Sequence, residues 1–235
     1  PDSLAKYADW VIAVLGEHPH PAFFVKAAEA HYDLAIARNM KSDFIKALQC
    51  CEVAMQFYQQ AEDPLGRQGA LVFKAWIQYN KGDVLDAIEN AENALQSLKD
   101  RESEWAESQR YQKILGNVYS DLGTYYKRVG ESDRSIENTE MSLEIRKKLG
   151  DLNDLAEIKM NLGRIFHDLK NYESALNSYN ESLELITASD NLSAKSVIFN
   201  NRGQLYYDLE KWQLAESDFN NSLEIKTRLN DFKGR

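Results

Sequence analysis

NLGRIFHDLKNYESALNSYNESLEL, residues 161–185, decides how the rest of this chain is read. Its apolar residues recur at three- and four-residue steps, as on one face of a helix. Gly163 stands inside that run, where glycine costs about 1 kcal/mol relative to alanine. Comparing the chain with itself explains why it is kept. LGRIF (162–166) aligns with LGTYY (122–126) and with RGQLY (202–206), each glycine followed three residues on by an aromatic. Twelve residues after each glycine comes a small residue, Ser135, Ala175 or Ala215, and four further on stand Thr139, Tyr179 and Phe219. The period is about 40 residues, a length that marks stacked repeat arrays. Glycine sits where two helices of a pair approach most closely.

Extended backwards, the glycine slot is held by Ala75, with Ala87 and Ala91 behind it, and by Ala35, with Ala47 and Cys51. Arg38 and Gln78 replace the aromatic in these two copies, and the step from Ala75 to Gly123 is longer than the others by eight. The units are therefore read as 22–63, 64–102, 103–151, 152–190 and 191–230. RLNDFKGR (228–235) echoes KLGDLNDL (148–155), so 231–235 reads as the start of a sixth unit, within a longer array or one joined to another domain. Over residues 1–18, Leu4, Tyr7, Ala8, Val11, Ile12 and Leu15 form one stripe closed by Gly16 and Pro19. That segment is either part of a preceding repeat or a capping helix.

Each unit reads as two helices. In the fourth, Leu155, Ile158, Leu162, Ile165, Phe166 and Leu169 mark the first helix. The turn Lys170-Asn171 leads to a second marked by Tyr172, Leu176, Tyr179, Leu183 and Leu185. Gly82-Asp83 and Gly130-Glu131 fall at the same phase and carry the helix-ending glycine. The fold expected is all-α. The lengthened junction 98–114 is charged but holds Trp105 and Tyr111. It reads as a longer helix pair with packed aromatics, or as a bend or edge offered to a partner.

The pattern L-G-x-x-[FY], then A-x-x-x-[FY] beginning twelve residues after the glycine, resembles the tetratricopeptide repeat over about residues 22–235. The usual pattern adds a tryptophan three before the leucine and a proline near the end; Lys159 and Thr187 stand there instead. The common unit has about 34 residues, so the six extra ones add about 9 Å of helix per unit. This longer form is similar to repeats of kinesin light chain, of Leu-Gly-Asn-repeat adaptors and of bacterial sensor arrays. The resemblance implies a right-handed superhelical solenoid of helix hairpins, with the first helices lining a concave binding surface.

The stripe of each first helix that does not pack within its pair is the candidate groove for a partner. The second unit contributes Trp76 and Tyr79, although these two also suit a core. The third contributes Ser120, Asp121, Thr124, Lys127 and Arg128. Glu157, Met160, Asn161, Arg164, His167 and Asp168 come from the fourth, and Asn200, Asn201, Gln204, Tyr207 and Asp208 from the fifth. Asp33, Ile36 and Asn39 occupy the stripe in the first. Asparagine amides both donate and accept, which suits the unpaired backbone of an extended peptide. In similar arrays such asparagines hold peptide backbones, and Asn161 and Asn201, two before Gly163 and Gly203, match them.

Other classes find little support. Net charge is −9, and the one basic run, Arg146-Lys147-Lys148, is flanked by acids, which argues against direct nucleic-acid binding. No apolar run approaches the roughly 18 residues of a membrane span. Of four histidines, His18 and His20 flank a proline that keeps them in an irregular turn, with no carboxylate or cysteine cluster nearby, so no metal is expected. No catalytic or phosphate-loop motif appears, and no cofactor is expected. Cys51 takes the packing slot of Tyr179, while adjacent Cys50 is expected to be partly exposed. Reduced cysteines suit a cytoplasmic protein.

Two functions remain. One is a non-catalytic interaction module that binds a partner peptide or helix in the groove. The other is a ligand- or peptide-responsive sensor array of a signalling or transcription-regulating protein. Self-association through exposed array ends is a further expectation.

Overall fold

The structure is a computed structural model that describes residue 10 and residues 21–187 and 191–233. The stripe expected over 1–18, Leu4 to Leu15, lies outside the described residues, as does the His18-Pro19-His20 turn. Among the described residues there are eleven helices and no strand. They are α1 (Pro21–Met40), α2 (Phe44–Gln60), α3 (Pro64–Lys81), α4 (Val84–Asp100), α5 (Glu102–Trp105) and α6 (Gln109–Val129). Then follow α7 (Ser132–Leu149), α8 (Leu152–Asp168), α9 (Tyr172–Thr187), α10 (Leu192–Asp208) and α11 (Trp212–Lys233).

The turns inside the hairpins carry the repeat in their backbone angles. Ser42, Gly82, Gly130, Lys170 and Glu210 all have positive φ, at 59°, 105°, 84°, 58° and 58°. Their spacing reproduces that of the glycine slots, the longer step included. In four of these turns the next residue closes the helix: Asp43, Asp83, Asn171 and Lys211 donate their N–H groups to the carbonyls of Arg38, Gln78, Phe166 and Tyr206, the last two at 2.9 Å. This left-handed closure satisfies carbonyls that the ended helix leaves over. Some helix starts carry side-chain caps, whereas Asp43 and Asp83 stand at theirs without a cap bond. The Asp63 carboxylate accepts from the Gly66 N–H at 2.8 Å, and Asp151 accepts from the N–H groups of Asn153 and Asp154.

The chain divides into two compact units, Pro1–Val129 and Gly130–Arg235. In the first, α1 packs on α2, α2 on α3, α3 on α4 and α4 on α6, while α3 also touches α6. In the second, α7 packs on α8, α8 on α9, α9 on α10 and α10 on α11, with α8 touching α10. Each unit is thus a stack of helix hairpins in which the first helices of neighbouring repeats lie side by side. Gly163 has its reason here. A Cβ on it would stand 2.6 Å from Cδ1 and Cε1 of Tyr179, whose ring is buried on the glycine backbone. Gly203 takes Phe219 in the same way, at 2.9 Å.

Four details depart from the sequence reading. Cys50 is buried beside Cys51 rather than partly exposed, because its side chain enters the cluster of Leu34, Ala35 and Ile77. Leu169 is largely exposed, since the helix closes one residue earlier and releases it from the stripe. The junction 98–114 is a break rather than a lengthened pair: α4 ends at Asp100, α5 makes one turn, and α6 starts at Gln109. Trp105 is held there by Tyr111, with ring centroids 6.1 Å apart, and by the Arg101 guanidinium, 4.3 Å from its ring. Finally, α11 runs through 231–233 without a break, whereas the matching segment around 150 breaks at left-handed Gly150.

Candidate partner-binding faces

In the second unit the candidate stripe of α8 holds Glu157, Met160, Asn161, Arg164, His167 and Asp168, and that of α10 holds Asn200, Asn201, Gln204, Tyr207 and Asp208; of these Met160 and His167 are half-buried, and Met160 packs against the core cluster around Tyr179. His167 and Tyr207 lie roughly opposite the buried Ile158, Leu162 and Ile165 of α8 and Ile198 and Leu205 of α10, while Asn161 and Asn201 sit only about 60° from that buried face. The two stripes are tied at one end. His167 Nε2 lies 2.8 Å from an Asp208 carboxylate oxygen, and the Gln204 amide donates to the other oxygen at 2.9 Å. These two bonds, Gln204 first, hold the Asp208 carboxyl below the usual carboxylate range. The Tyr172 ring meets His167 edge-on, and the Trp212 ring meets Tyr207. His167, Gln204 and Asp208 are therefore partnered within the protein. Asn161 and Asn201 are half-buried, Asn200 and Arg164 exposed, and among the described residues none of the four side chains has a hydrogen-bond or ion-pair partner.

The first unit has a matching tie between first helices, with the Asn80 amide donating to Asn39 Oδ1 at 3.2 Å. Its predicted stripe is more aromatic and more buried. Trp76 stacks on Tyr79 at 5.6 Å between centroids, and Tyr79 stacks on fully buried Tyr125 at 4.9 Å. The Tyr79 ring thus belongs partly to packing. Ser120, Asp121, Thr124 and Lys127 are half-buried, Arg128 is exposed, and the Thr124 hydroxyl is turned onto the Ser120 carbonyl.

Sequence reasoning missed a cavity of about 430 Å³ at the start of α3 and α6, lined by Tyr32, Tyr58, Gly66, Gly69, Arg110 and Lys113 among others. The glycines open it: a Cβ on Gly66 would stand 2.5 Å from the Tyr58 ring and 2.6 Å from the Arg110 guanidinium. Arg110 is held by Asp63 at 2.8 Å. Burial first, then the neighbouring Cys51 and Tyr58, and least Asp121 and Asp33, pushes the Tyr32 hydroxyl up to about 12. Two glycines three residues apart at the head of α3 were the signal in the sequence.

Also missed was Arg202, one residue before Gly203. It forks onto nearly buried Asp218, with Nε and Nη2 at 2.7 and 2.8 Å, and donates from Nη1 to Asn180 at 2.7 Å. Leu162 and Ser178 hold the corresponding places one repeat earlier.

Among the described residues, no group of three His, Cys, Asp or Glu side chains is placed to hold a metal ion, and no helix is long and apolar enough to cross a membrane. The arrangement offers amides, a guanidinium and aromatic faces on adjacent first helices, which is equipment for recognition.

This is the architecture of a helix-hairpin repeat array. Residues 114–188 match the tetratricopeptide repeat family, and the fold is that of tetratricopeptide-type arrays. A comparison with curated proteins finds no match. Among solved structures, the chain is similar to BtubC (BKLC) from P. vanneervenii, at 20% identity and a TM-score of 0.79, covering 97% of this chain and 90% of that one. It is similar to a Rap protein complexed with Competence and Sporulation Factor, at 14% identity and TM-score 0.71, covering 97% and 65%. A STAND-type signal transduction ATPase with a tetratricopeptide repeat sensor, from Pyrococcus horikoshii, matches at 16% identity and TM-score 0.71, covering 94% of this chain and 34% of that one.

Proposed function

We propose that this chain is a non-catalytic interaction module that binds a partner peptide or helix across the exposed faces of its first helices. One observation carries the reading. On α8 and α10 the ends of the stripe are locked by His167, Gln204 and Asp208, while Asn161, Arg164, Asn200 and Asn201 keep their polar groups unpaired at the middle. Such amides match the alternating donors and acceptors of a bound backbone. Glu157, Met160 and Tyr207 flank them, and Ser120, Asp121, Thr124, Lys127 and Arg128 with Trp76 and Tyr79 supply a comparable face in the first unit. The partner is a protein or peptide, the compartment cytoplasmic, and no cofactor takes part. Association of copies through array ends belongs to the same reading.

A sensor array is the second reading. It is favoured by the likeness to the Rap protein complexed with Competence and Sporulation Factor and to the STAND protein's repeat sensor. Neighbour-only contacts make such stacks responsive to a ligand.

The test is selection of binding peptides from a displayed library, followed by affinity measurement with the chain and with Asn161→Ala/Asn201→Ala. The double variant is expected to lose about five- to 150-fold in affinity, the worth of two hydrogen bonds of about 0.5–1.5 kcal/mol each. Unchanged affinity for every selected peptide rejects the groove.

A further inference from the structure

The second unit carries an open cleft of about 540 Å³ between α7 and α9, over the first half of α8. Leu143, Leu152, Leu155 and Leu185 line it, with Lys147, Lys159, Glu181 and Glu184 at its rim. That volume lies within the range of about 300–1,000 Å³ typical of ligand sites. Leu152 is 41% exposed, an apolar side chain left to solvent at its edge. The cleft lies on the side of α8 away from Asn161, because Leu155 and Lys159 project roughly opposite to it on the helix.

The repeats explain why this space is open. The position of Lys159 is held by His31, Leu71, Tyr119 and Phe199 in the other four units. Tyr119 is buried to 6% exposure, and Phe199 packs against the cluster of Leu183, Ile186 and Ile198. In the fourth unit alone a lysine stands there, and its ammonium turns aside to pair with Glu181. That bond, its largest influence, holds the Glu181 carboxyl below the usual range. The leucine walls therefore remain without the side chain that sister repeats place between them.

The first unit also shows how such a ring is covered. The Lys99 ammonium lies over the Tyr119 ring, 5.6 Å from its centroid. Lys147 is the counterpart of Lys99 across the longer step of the repeat, and it stands at the rim of the cleft. The cation that covers a ring in one repeat thus reappears where the chain's own ring is missing. A cation within about 6 Å of a ring centroid is attracted to its face.

We propose that this cleft receives one aromatic side chain from a partner protein, in the place that Tyr119 and Phe199 fill from within their own repeats, with Lys147 over the ring. Glu184, exposed at the rim, gives an acceptor for an indole N–H or phenol O–H. The site is separate from the asparagine stripe and does not depend on it.

The test uses 5-fluoroindole as the probe, followed by fluorine NMR and by shifts of the leucine methyl groups. Saturable binding with shifts at Leu143, Leu152, Leu155 and Leu185 is expected. Lys159→Trp or Lys159→Phe restores the internal ring and is expected to abolish binding while keeping or raising Tm. Lys147→Met is expected to weaken indole about two- to fivefold, the size of an exposed cation–π contact, and to leave cyclohexanol unaffected. Asn161→Ala/Asn201→Ala leaves indole binding unchanged, so failure of the stripe and failure of the cleft are told apart. Absence of saturable binding at millimolar indole overturns the proposal. So does undiminished binding by folded Lys159→Trp and Lys159→Phe.

Discussion

The Tyr179 ring rests on Gly163, with two ring carbons 2.6 Å from the point where a Cβ would stand. Tyr179 is almost fully buried, so its ring has no free end to swing away. Gly163→Ala is expected to destabilise by about 1–3 kcal/mol, the usual cost of overpacking, despite the gain in helix propensity. Gly203→Ala costs less, because Phe219 is only half-buried and lies at 2.9 Å. Urea unfolding of the two variants gives the order, and equal or improved stability of Gly163→Ala would contradict the close approach.

The left-handed turns make an opposite prediction. Lys170 and Glu210 occupy, at φ 58°, the position that Gly82 and Gly130 hold elsewhere. A side chain in that region costs about 1–2 kcal/mol per residue, partly offset by the larger unfolded-state entropy of glycine. Lys170→Gly and Glu210→Gly should each stabilise by up to about 1 kcal/mol, seen as a rise in Tm. Gly82→Ala should lower it.

Much of this was legible in the sequence, and the limits have physical causes. The period with its one longer step, the hairpin turns and the seating of an aromatic sixteen residues after Gly163 and Gly203 all follow from spacing, because every repeat must solve the same packing problem. Cys50 departs from expectation because the face it takes is decided by the neighbouring helices, here through Leu34 and Ile77. The Gly66–Arg110 cavity left only its glycine pair as a trace in the sequence, because it joins residues far apart along the chain, across the irregular junction. Lys159 was legible as a departure from the aromatic pattern. Its consequence, an open cleft, needed the ammonium's actual partner.

The buried thiols predict an alkaline effect. Burial, then the neighbouring Cys50, pushes the Cys51 thiol up to about 12 from its usual value of 9.0, and Cys50 is raised by burial as well. In the unfolded chain these thiols ionise near 9, whereas in the folded protein they stay neutral. The unfolded state therefore loses protons first, and stability falls as pH rises from about 9 towards 12. Cys51→Ala should flatten that slope in urea titrations between pH 8 and pH 10, after allowance for the cavity it leaves. A native protein whose thiols react with Ellman's reagent as fast as unfolded chain would contradict the burial.

Arg202 and Asp218 supply the last prediction. A buried ion pair is weak evidence of stability, yet removing one member is expensive because the other charge is left without compensation. Asp218→Asn should cost about 3–5 kcal/mol, since Arg202 would lose its counter-charge and one arm of the fork, keeping an amide oxygen in place of the carboxylate and its bond to Asn180. The preceding repeat shows the apolar alternative, with Leu162 and Ser178 at the same two places. Arg202→Leu/Asp218→Ser is therefore expected to recover most of that loss, and exchange with an apolar pair elsewhere has been neutral or stabilising. The rings of Phe199 and Tyr206, which now flank the guanidinium at 5.7 and 5.6 Å, would pack on the leucine instead. A double-mutant cycle by chemical denaturation measures the coupling. A double variant as unstable as Asp218→Asn would show that the pair, and its tie to Asn180 of the preceding repeat, has no apolar substitute in this stack.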